Sequence, residues 1–500
     1  MSVVSGVPTS DGESGRFARA PFASVPRLTV SARRRVEAGN SRLVVASVVA
    51  TMIAIGALVA MVGFRAVDRT VPRTPEPVPF GGWIIWVSWE RPTAHVIGFA
   101  VLGIVVVAAV AVALEAGAAL LTLRPKLREI ERRRPPLRPG AGRVRTTVLI
   151  PARNEELCLG RTLAALRSQT RPPDRVIVVV NNCTDRTAEV AAEAGAEVFH
   201  THGVVRRKAG ALNQALLQLL PKVVRNDVVL VMDADTVLEP RFIEVGAGHL
   251  ERDPMLSAVG GIFYGEKGHG LVGQFQRNEY TRYGLQLRAR NGRVFVLTGT
   301  ATMFRAEALL DVAAARGTYL PGDPGCVYDT EALTEDNELT LALKSLGATM
   351  ISPSQCRVTT ELMPTWRDLR CQRMRWQRGA LENIATYGIT RATARYWGQQ
   401  LGLGCGVIAL WLALLLLALT VLAVDTWIWF PFWLTAGAVF VAERVITVWA
   451  GGWRARALAV LMVPELGYDV FLQSVFVTSL INITLGRRQH WWHLQRTATP

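Results

Sequence analysis

Hydrophobic positions fall into two kinds of run along this chain. Long ones cluster at both ends. Residues 43–64 are 22 positions without a charge, and 96–114 are a second uncharged run whose pattern continues past Glu115 to Leu123. Beyond a mixed central region come 403–424, then 427–442 (continuing past Glu443 and Arg444 to Ala450), and finally 457–485, interrupted at Pro464, Glu465 and Asp469. A helix of about 20 apolar residues crosses a bilayer core. These runs therefore predict membrane spans rather than buried helices of a soluble protein. A cleaved leader fits poorly, because 42 residues precede the first run, more than a usual n-region.

The central runs are short. Residues 147–150, 176–180, 197–200 and 228–232 are β-rich and apolar. They alternate with helical stretches from Glu155 to about Gln169, from near Thr187, and over 208–220. Continuous apolar strands alternating with helices predict an α/β fold with a parallel sheet covered on both faces. Ligands of such sheets bind beyond the carboxyl ends of the strands, which is where the polar clusters of this segment fall. No repeat of 20–50 residues interrupts the reading.

Charge fixes the orientation. The 500-residue chain is 50% hydrophobic, with a mean hydropathy of +0.24, which excludes a disordered or collagen-like polymer. Its 56 Lys and Arg exceed its 40 Asp and Glu, for a net charge of +16. Arg33, Arg34, Arg35 and Arg42 precede the first run, and nine basic residues lie between Arg124 and Arg145. The positive-inside rule places both flanks in the cytoplasm and residues 65–94 outside. Of 14 tryptophans only Trp366 and Trp376 lie between residues 90 and 396. The others sit in or beside the apolar blocks, as interfacial anchors do. A polybasic stretch abutting a span reads as a topology and anionic-lipid signal, so membrane lipids are the predicted partner and nucleic acid is not. The six cysteines form no CxxC pair, which argues against a zinc ribbon or disulfide framework. One conflict remains at the C-terminal end. A fifth full span would put Arg487 and Arg488 outside, so 457–485 is either broken at Pro464 or leaves the tail facing out.

Four clusters carry chemistry. Pro151-Ala152-Arg153-Asn154-Glu155 and Asn181-Asn182-Cys183-Thr184-Asp185 follow the first two strands. There they can hold a nucleoside, or equally serve as turns, with Asp185 starting a helix. Asp233-Ala234-Asp235 ends the fourth strand. Two carboxylates one residue apart repel unless something positive lies between them, and Mg²⁺ or Mn²⁺ completed by waters and phosphates suits the pair. Thr334-Glu335-Asp336 opens a helical pattern over 337–346 that Gly347 would stop. Gln372, Arg375 and Trp376 share a face at i, i+3 and i+4, offering guanidinium donors to a phosphate and an aromatic plate to a sugar. A basic amphipathic helix on the membrane is the alternative. The polar-aromatic stretch 274–283 reads as either an interfacial or a surface helix.

In this order, Asp185, Asp233-x-Asp235, Thr334-Glu335-Asp336 and Gln372-x-x-Arg375-Trp376 resemble the D, DxD, TED, QxxRW signature of membrane-embedded family 2 glycosyltransferases. These include the cellulose, chitin, hyaluronan and poly-N-acetylglucosamine synthases. Pro151–Glu155 and Lys208-Ala209-Gly210-Ala211-Leu212-Asn213 resemble further family segments, and Leu297-Thr298-Gly299-Thr300 an acceptor-site loop. The resemblance implies a GT-A fold, a nucleotide-sugar donor (usually UDP-linked) and a divalent cation. It implies that Pro151, Ala152, Arg153, Glu155, Asp185 and Lys208 line the nucleotide, and that Asp233 and Asp235 hold diphosphate and metal. Asp336 would be the general base and Glu335 its neighbour. Gln372, Arg375 and Trp376 would close the site, with Thr298, Gly299 and Trp376 at the acceptor. One base and no second carboxylate nucleophile predicts an inverting reaction.

The expected organisation is a basic cytosolic tail (1–42), two membrane helices (43–123), a basic linker (124–145), a cytosolic GT-A domain (146–400), C-terminal membrane helices (401–485) and a tail (486–500). The expected product is a β-linked polysaccharide, made from UDP-GlcNAc or UDP-glucose and exported by a multi-pass protein of the cell membrane. The alternatives are a single sugar addition to a lipid or other membrane acceptor, and a transporter or receptor with a cytosolic binding domain. The last explains the spans but not the four clusters. Oligomeric state is left open.

Overall fold

The computed structural model describes residues 76–80, 83–88, 143–203, 207–224, 227–290, 292–423, 427–428 and 431–487. The two predicted N-terminal spans, the N-terminal tail, most of the basic linker and the C-terminal tail beyond residue 487 lie outside these residues. In chain order the elements are β1 (Glu76–Phe80), β2 (Trp83–Ser88), β3 (Thr146–Ala152), α1 (Glu156–Arg167), β4 (Arg175–Val180), α2 (Thr187–Glu193), β5 (Glu197–His200), α3 (Arg207–Leu219) and β6 (Val228–Met232). There follow β7 (Val237–Leu238), α4 (Phe242–Arg252), β8 (Leu256–Gly260), β9 (Ile262–Gly265), α5 (Gly270–Ala289), β10 (Ala301–Arg305), α6 (Ala306–Ala315) and α7 (Glu335–Ser345). Next come β11 (Thr349–Ile351), β12 (Arg357–Thr360), α8 (Trp366–Tyr387), α9 (Ala394–Ala423), β13 (Trp427–Ile428), α10 (Pro431–Thr447), α11 (Trp453–Val460) and α12 (Met462–Thr484).

Seven strands form the central sheet in the order β11-β8-β10-β6-β3-β4-β5. The neighbours β3, β4, β5 and β6 run parallel, as the apolar strands predict. The sheet is nonetheless mixed, because β10 runs antiparallel to both β6 and β8. Its residues, Ala-Thr-Met-Phe-Arg, are buried throughout, so hydrophobicity alone carries no sign of direction. Both faces are covered. Leu149, Val229 and Val231 face α3, α6 and α7, while Val148, Ile150, Leu230 and Met232 face α1 and α4. Alternate residues of one strand thus feed two cores, which is why these strands read as unbroken apolar runs. A second sheet, β7-β12-β9, adjoins the carboxyl end of β6.

The C-terminal helices pack on this domain through α8. Leu381, Ile384 and Ala385 of α8 meet Phe476, Leu480 and Ile483 of α12, together with Tyr396 and Trp397 of α9. Among the described residues one helix, Met462–Thr484, is long and apolar enough to cross a membrane. Pro464 does not break it. The chain turns at Leu461, between α11 and α12, and Pro464 lies in the first turn of α12, where an amide has no helical partner to lose. Apart from the domain, β1, β2 and β13 form a small sheet in which Trp427 pairs with Val87 and Ile428 with Ser88.

Candidate active site

The loops after β3 and β4 are fastened to each other. Asn154 and Asn182 both adopt left-handed backbone, at φ of 57° and 52°, a conformation Asn tolerates better than most residues. Asn154 Oδ1 accepts from the Thr184 amide at 2.8 Å, and Thr187 Oγ1 accepts from the Glu155 amide at 2.8 Å. Asp185 accepts from the Glu156 amide (3.1 Å) through Oδ2 and from the Thr187 amide (3.1 Å) and hydroxyl (2.5 Å) through Oδ1. Burial pushes this carboxyl upward, but the Thr187 hydroxyl and the two amides outweigh it and hold it below the usual range. Of the two readings of Asp185, the structure displays the helix-start role directly. Pro151 and Ala152 end β3, and Arg153 and Glu155 follow in this stapled loop.

The other acidic clusters converge. Lys208, in the first turn of α3, donates to Asp233 Oδ1 at 2.6 Å and stands 2.9 Å from Glu335 Oε1. Its ammonium therefore ties the end of β6 to the start of α7. The loop before β10 closes the third side: the Asp233 amide donates to the Thr300 carbonyl (3.0 Å), and the Gly299 amide donates to Asp336 Oδ2 (3.0 Å). A Cβ on Gly299 would sit 3.1 Å from Asp336 Oδ2 and 3.4 Å from Lys208 Nζ, so a bare backbone lets the loop approach. Lys208, Thr298, Gly299, Tyr328, Glu335 and Asp336 line one cavity.

The two adjacent acids are pushed apart. Burial raises Asp336, and the neighbouring Glu335 charge raises it further, to about 6. Burial also works against the Glu335 carboxylate, but the Lys208 ammonium and the Arg375 guanidinium override it and hold Glu335 below its ordinary value. Two carboxyls with opposed shifts in one cavity are the pattern of a site that moves protons.

Helix α8 braces α7. Gln372, Trp376, Gly379 and Asn383 lie at i, i+4, i+7 and i+11, one stripe of the helix. Asn383 Nδ2 donates to the Thr334 carbonyl (3.1 Å), the Thr334 hydroxyl (3.1 Å) and Asn337 Oδ1 (3.0 Å). Gly379 permits this contact, since a Cβ there would lie 2.5 Å from Thr334 Oγ1. One turn further along α7, Glu338 accepts from the fully buried Arg316 at 2.8 Å. Asp336 thus projects from a helix fixed at its cap and its second turn.

Asp233 and Asp235 make an all-oxygen pair, with Asp235 Oδ1 accepting from the Thr236 hydroxyl at 3.3 Å. Among the described residues no group of three or more His, Cys, Asp or Glu forms a cage. Two part-exposed carboxylates, one of them already bonded to Lys208, suit Mg²⁺ or Mn²⁺, which keep several non-protein ligands, and do not make a closed structural site. Gly379, Asn383, Arg316 and Glu338 were not singled out from sequence. The i+7 and i+11 continuation of the Gln372–Trp376 stripe was a legible signal for the first two, and nothing in the sequence pairs Arg316 with Glu338.

Residues 143–379 match the family model "Glycosyltransferase like family 2". This segment belongs to family 2 of the glycosyltransferases. The glycosyltransferase segment contains the four sequence clusters from Pro151 to Trp376, and Asn383 lies just beyond it. The chain is 28% identical over 261 residues to a probable glycosyltransferase, YdaM, of Bacillus subtilis, covering 47% of this chain and 55% of that one. It is 27% identical over 243 residues to a poly-beta-1,6-N-acetyl-D-glucosamine synthase of Staphylococcus aureus, covering 47% and 54%. The chain thus spans about half the length of these relatives. Among solved structures, a mannosyltransferase from Pyrobaculum calidifontis in complex with GDP-Man and Mn2+ aligns over 76% of this chain and 100% of its own. Its identity is 17% and its TM-score 0.45.

Proposed function

We propose that the glycosyltransferase segment is a GT-A domain that transfers a sugar from a UDP-linked donor, with inversion, to a growing β-linked polysaccharide. The observation that carries this reading is the Lys208 bridge, which joins Asp233 to Glu335 while Asp336 stands at the same cavity wall. Asp336 takes the proton of the attacking acceptor hydroxyl, which must come within about 3 Å of its carboxylate. Its raised affinity for protons suits that role, and Glu335, kept ionised, sustains it. The anomeric carbon passes through an oxocarbenium-like state, and the departing diphosphate gathers negative charge facing Lys208 and Arg375. Asp233 and Asp235 would hold Mg²⁺ or Mn²⁺, which when bound would supply Lewis-acid stabilisation of that leaving group. The stapled loops, with Pro151, Ala152, Arg153, Glu155 and Asp185, form the nucleoside end. Thr298, Gly299, Gln372 and Trp376 form the acceptor end.

The chain acts at the cell membrane as a multi-pass protein with the catalytic domain in the cytoplasm. The helix Met462–Thr484 supports this. So does the pairing of β2 with β13: charge assigns residues 65–94 to the outside, and a span over 403–424 leaving a cytosolic domain would bring residues 427–428 to that same side. Glycosyltransfer next to spanning helices suits a processive synthase that exports its product. Membranes containing the full chain, incubated with radiolabelled UDP-GlcNAc, UDP-glucose and UDP-glucuronate in turn, test the proposal. Long polymer from one donor is the expected result. A single sugar on lipid would overturn processivity, and no transfer from any donor would overturn the reaction.

A further inference from the structure

Arg373 lies between the two residues that would close the acceptor side, and it is almost wholly buried, with 5% of its surface exposed. Its guanidinium carbon stands 4.3 Å from the centre of the Trp376 ring, a stacking distance at which a flat cation is held by the indole face. Nη1 donates to Gln372 Oε1 at 2.8 Å, and Nη2 donates to Glu279 Oε2 of α5 at 2.9 Å. The same Glu279 oxygen accepts from the Tyr468 hydroxyl at 2.6 Å.

Tyr468 belongs to α12, the helix long enough to cross a membrane. Its ring also stacks on Phe275 of α5 at 4.7 Å, and one turn earlier the buried Glu465 accepts from Arg282 (2.7 Å) and Asn278 (3.2 Å) of α5. The opening turns of α12 therefore grip α5 along the edge that holds Arg373. Gln372 and Trp376 would keep their places on α8 without this chain of contacts, but the plane of the indole would not be set.

We propose that Arg373 is a positioning residue for the acceptor. It fixes the plane of Trp376, and Glu279 and Tyr468 fix Arg373, so that the start of α12 determines how the sugar platform lies. This rests on the reading of Trp376 as an acceptor contact given above. A planar fork is needed for both the stack and the carboxylate bond, so lysine is not an equivalent.

The test uses the full chain in membranes, with whichever donor of the panel is turned over and a short β-linked oligosaccharide of the same sugar as acceptor. Acceptor KM, donor KM and release of nucleoside diphosphate to water without acceptor are measured for Tyr468→Phe, Glu279→Gln and Arg373→Lys. Tyr468→Phe removes one hydroxyl and keeps the ring. It should raise acceptor KM about 3- to 10-fold, a fraction of the full worth of one hydrogen bond to a charged group because the loss reaches the acceptor only through Arg373 and Trp376, and leave donor KM and water-dependent release within about twofold. Arg373→Lys should raise acceptor KM further, and adding Tyr468→Phe to it should have no additional effect, as expected of groups acting through one contact. Unchanged acceptor KM in all three variants overturns the proposal. So does a parallel rise in donor KM, which a general loosening of the fold would give. If the unaltered chain releases no diphosphate from any donor, the glycosyltransfer reading falls first and takes this one with it.

Discussion

Replacing Gly379 by alanine changes one methyl group and should cost activity out of proportion to stability. The new Cβ would lie 2.5 Å from Thr334 Oγ1, 2.8 Å from Thr334 Cγ2 and 3.1 Å from Thr334 Cβ, where ordinary contact begins at 3.4 Å. Relief requires a displacement of about 0.9 Å between α8 and the start of α7. Rotating the Thr334 side chain moves Oγ1 and Cγ2 together, leaves Cβ at 3.1 Å, and gives up the bond from Asn383 to the hydroxyl. Overpacking of this kind costs about 1–3 kcal/mol, partly offset by the gain of about 1 kcal/mol from removing a helical glycine. The net loss is then up to about 2 kcal/mol, or a few degrees in Tm. Asp336 is two residues from Thr334, and a 1 Å error at a reacting group costs about 10²-fold. Steady-state transfer, with donor affinity measured separately by calorimetry, should show kcat lowered about 100-fold and donor Kd within about threefold. Thr334→Ala in the same chain removes two of the three clashes and should recover much of the loss, whereas alone it should be mild. Normal kcat in Gly379→Ala, or a loss confined to donor binding, would refute the claim that α8 positions the base.

Two further outcomes follow from the electrostatics. Asp336 serves as base only when ionised and is raised from the ordinary aspartate value to about 6, so kcat/KM should climb with pH through about 6 and be lost below it; a limb near 4, the ordinary range, would contradict the burial argument. Asp235→Asn should weaken Mn²⁺ binding in the presence of UDP at least tenfold, read by electron paramagnetic resonance, and unaltered Mn²⁺ affinity would remove Asp235 from the metal site.

Much of the fold was legible because burial on both faces leaves an unambiguous trace. The runs 228–232 and 197–200 coincide with β6 and β5, and the strand-end rule points to Asp233 from the sequence alone. The direction of β10 was not legible, since an all-buried strand looks the same either way round. Which acids meet was only partly legible. Spacing put Glu335 at a helix start, but its partner Lys208 lies 127 positions earlier in the chain, and only the seven-stranded order brings α3 and α7 to the same end of β6. Asp185 shows the converse. Sequence allowed a nucleotide contact and a helix start alike; two of its three hydrogen bonds are local, to Thr187, and the third comes from the Glu156 amide across the two loops. Asn383 shares the stripe of Gln372 and Trp376, so its spacing is visible in the sequence although its contact with Thr334 is not; Arg373 has no such signal, since its importance lies in what it touches at Glu279.

The central claim is that Asp336 removes the acceptor proton in a cavity whose other wall holds the donor. Its most direct measurement is single-turnover transfer by Asp336→Asn, a nearly isosteric change, beside calorimetric binding of the UDP-sugar to the same preparation. The account predicts transfer lowered about 10²- to 10⁴-fold, the usual worth of a general base, with donor affinity preserved. Transfer at the unaltered rate, with donor still bound, would contradict it.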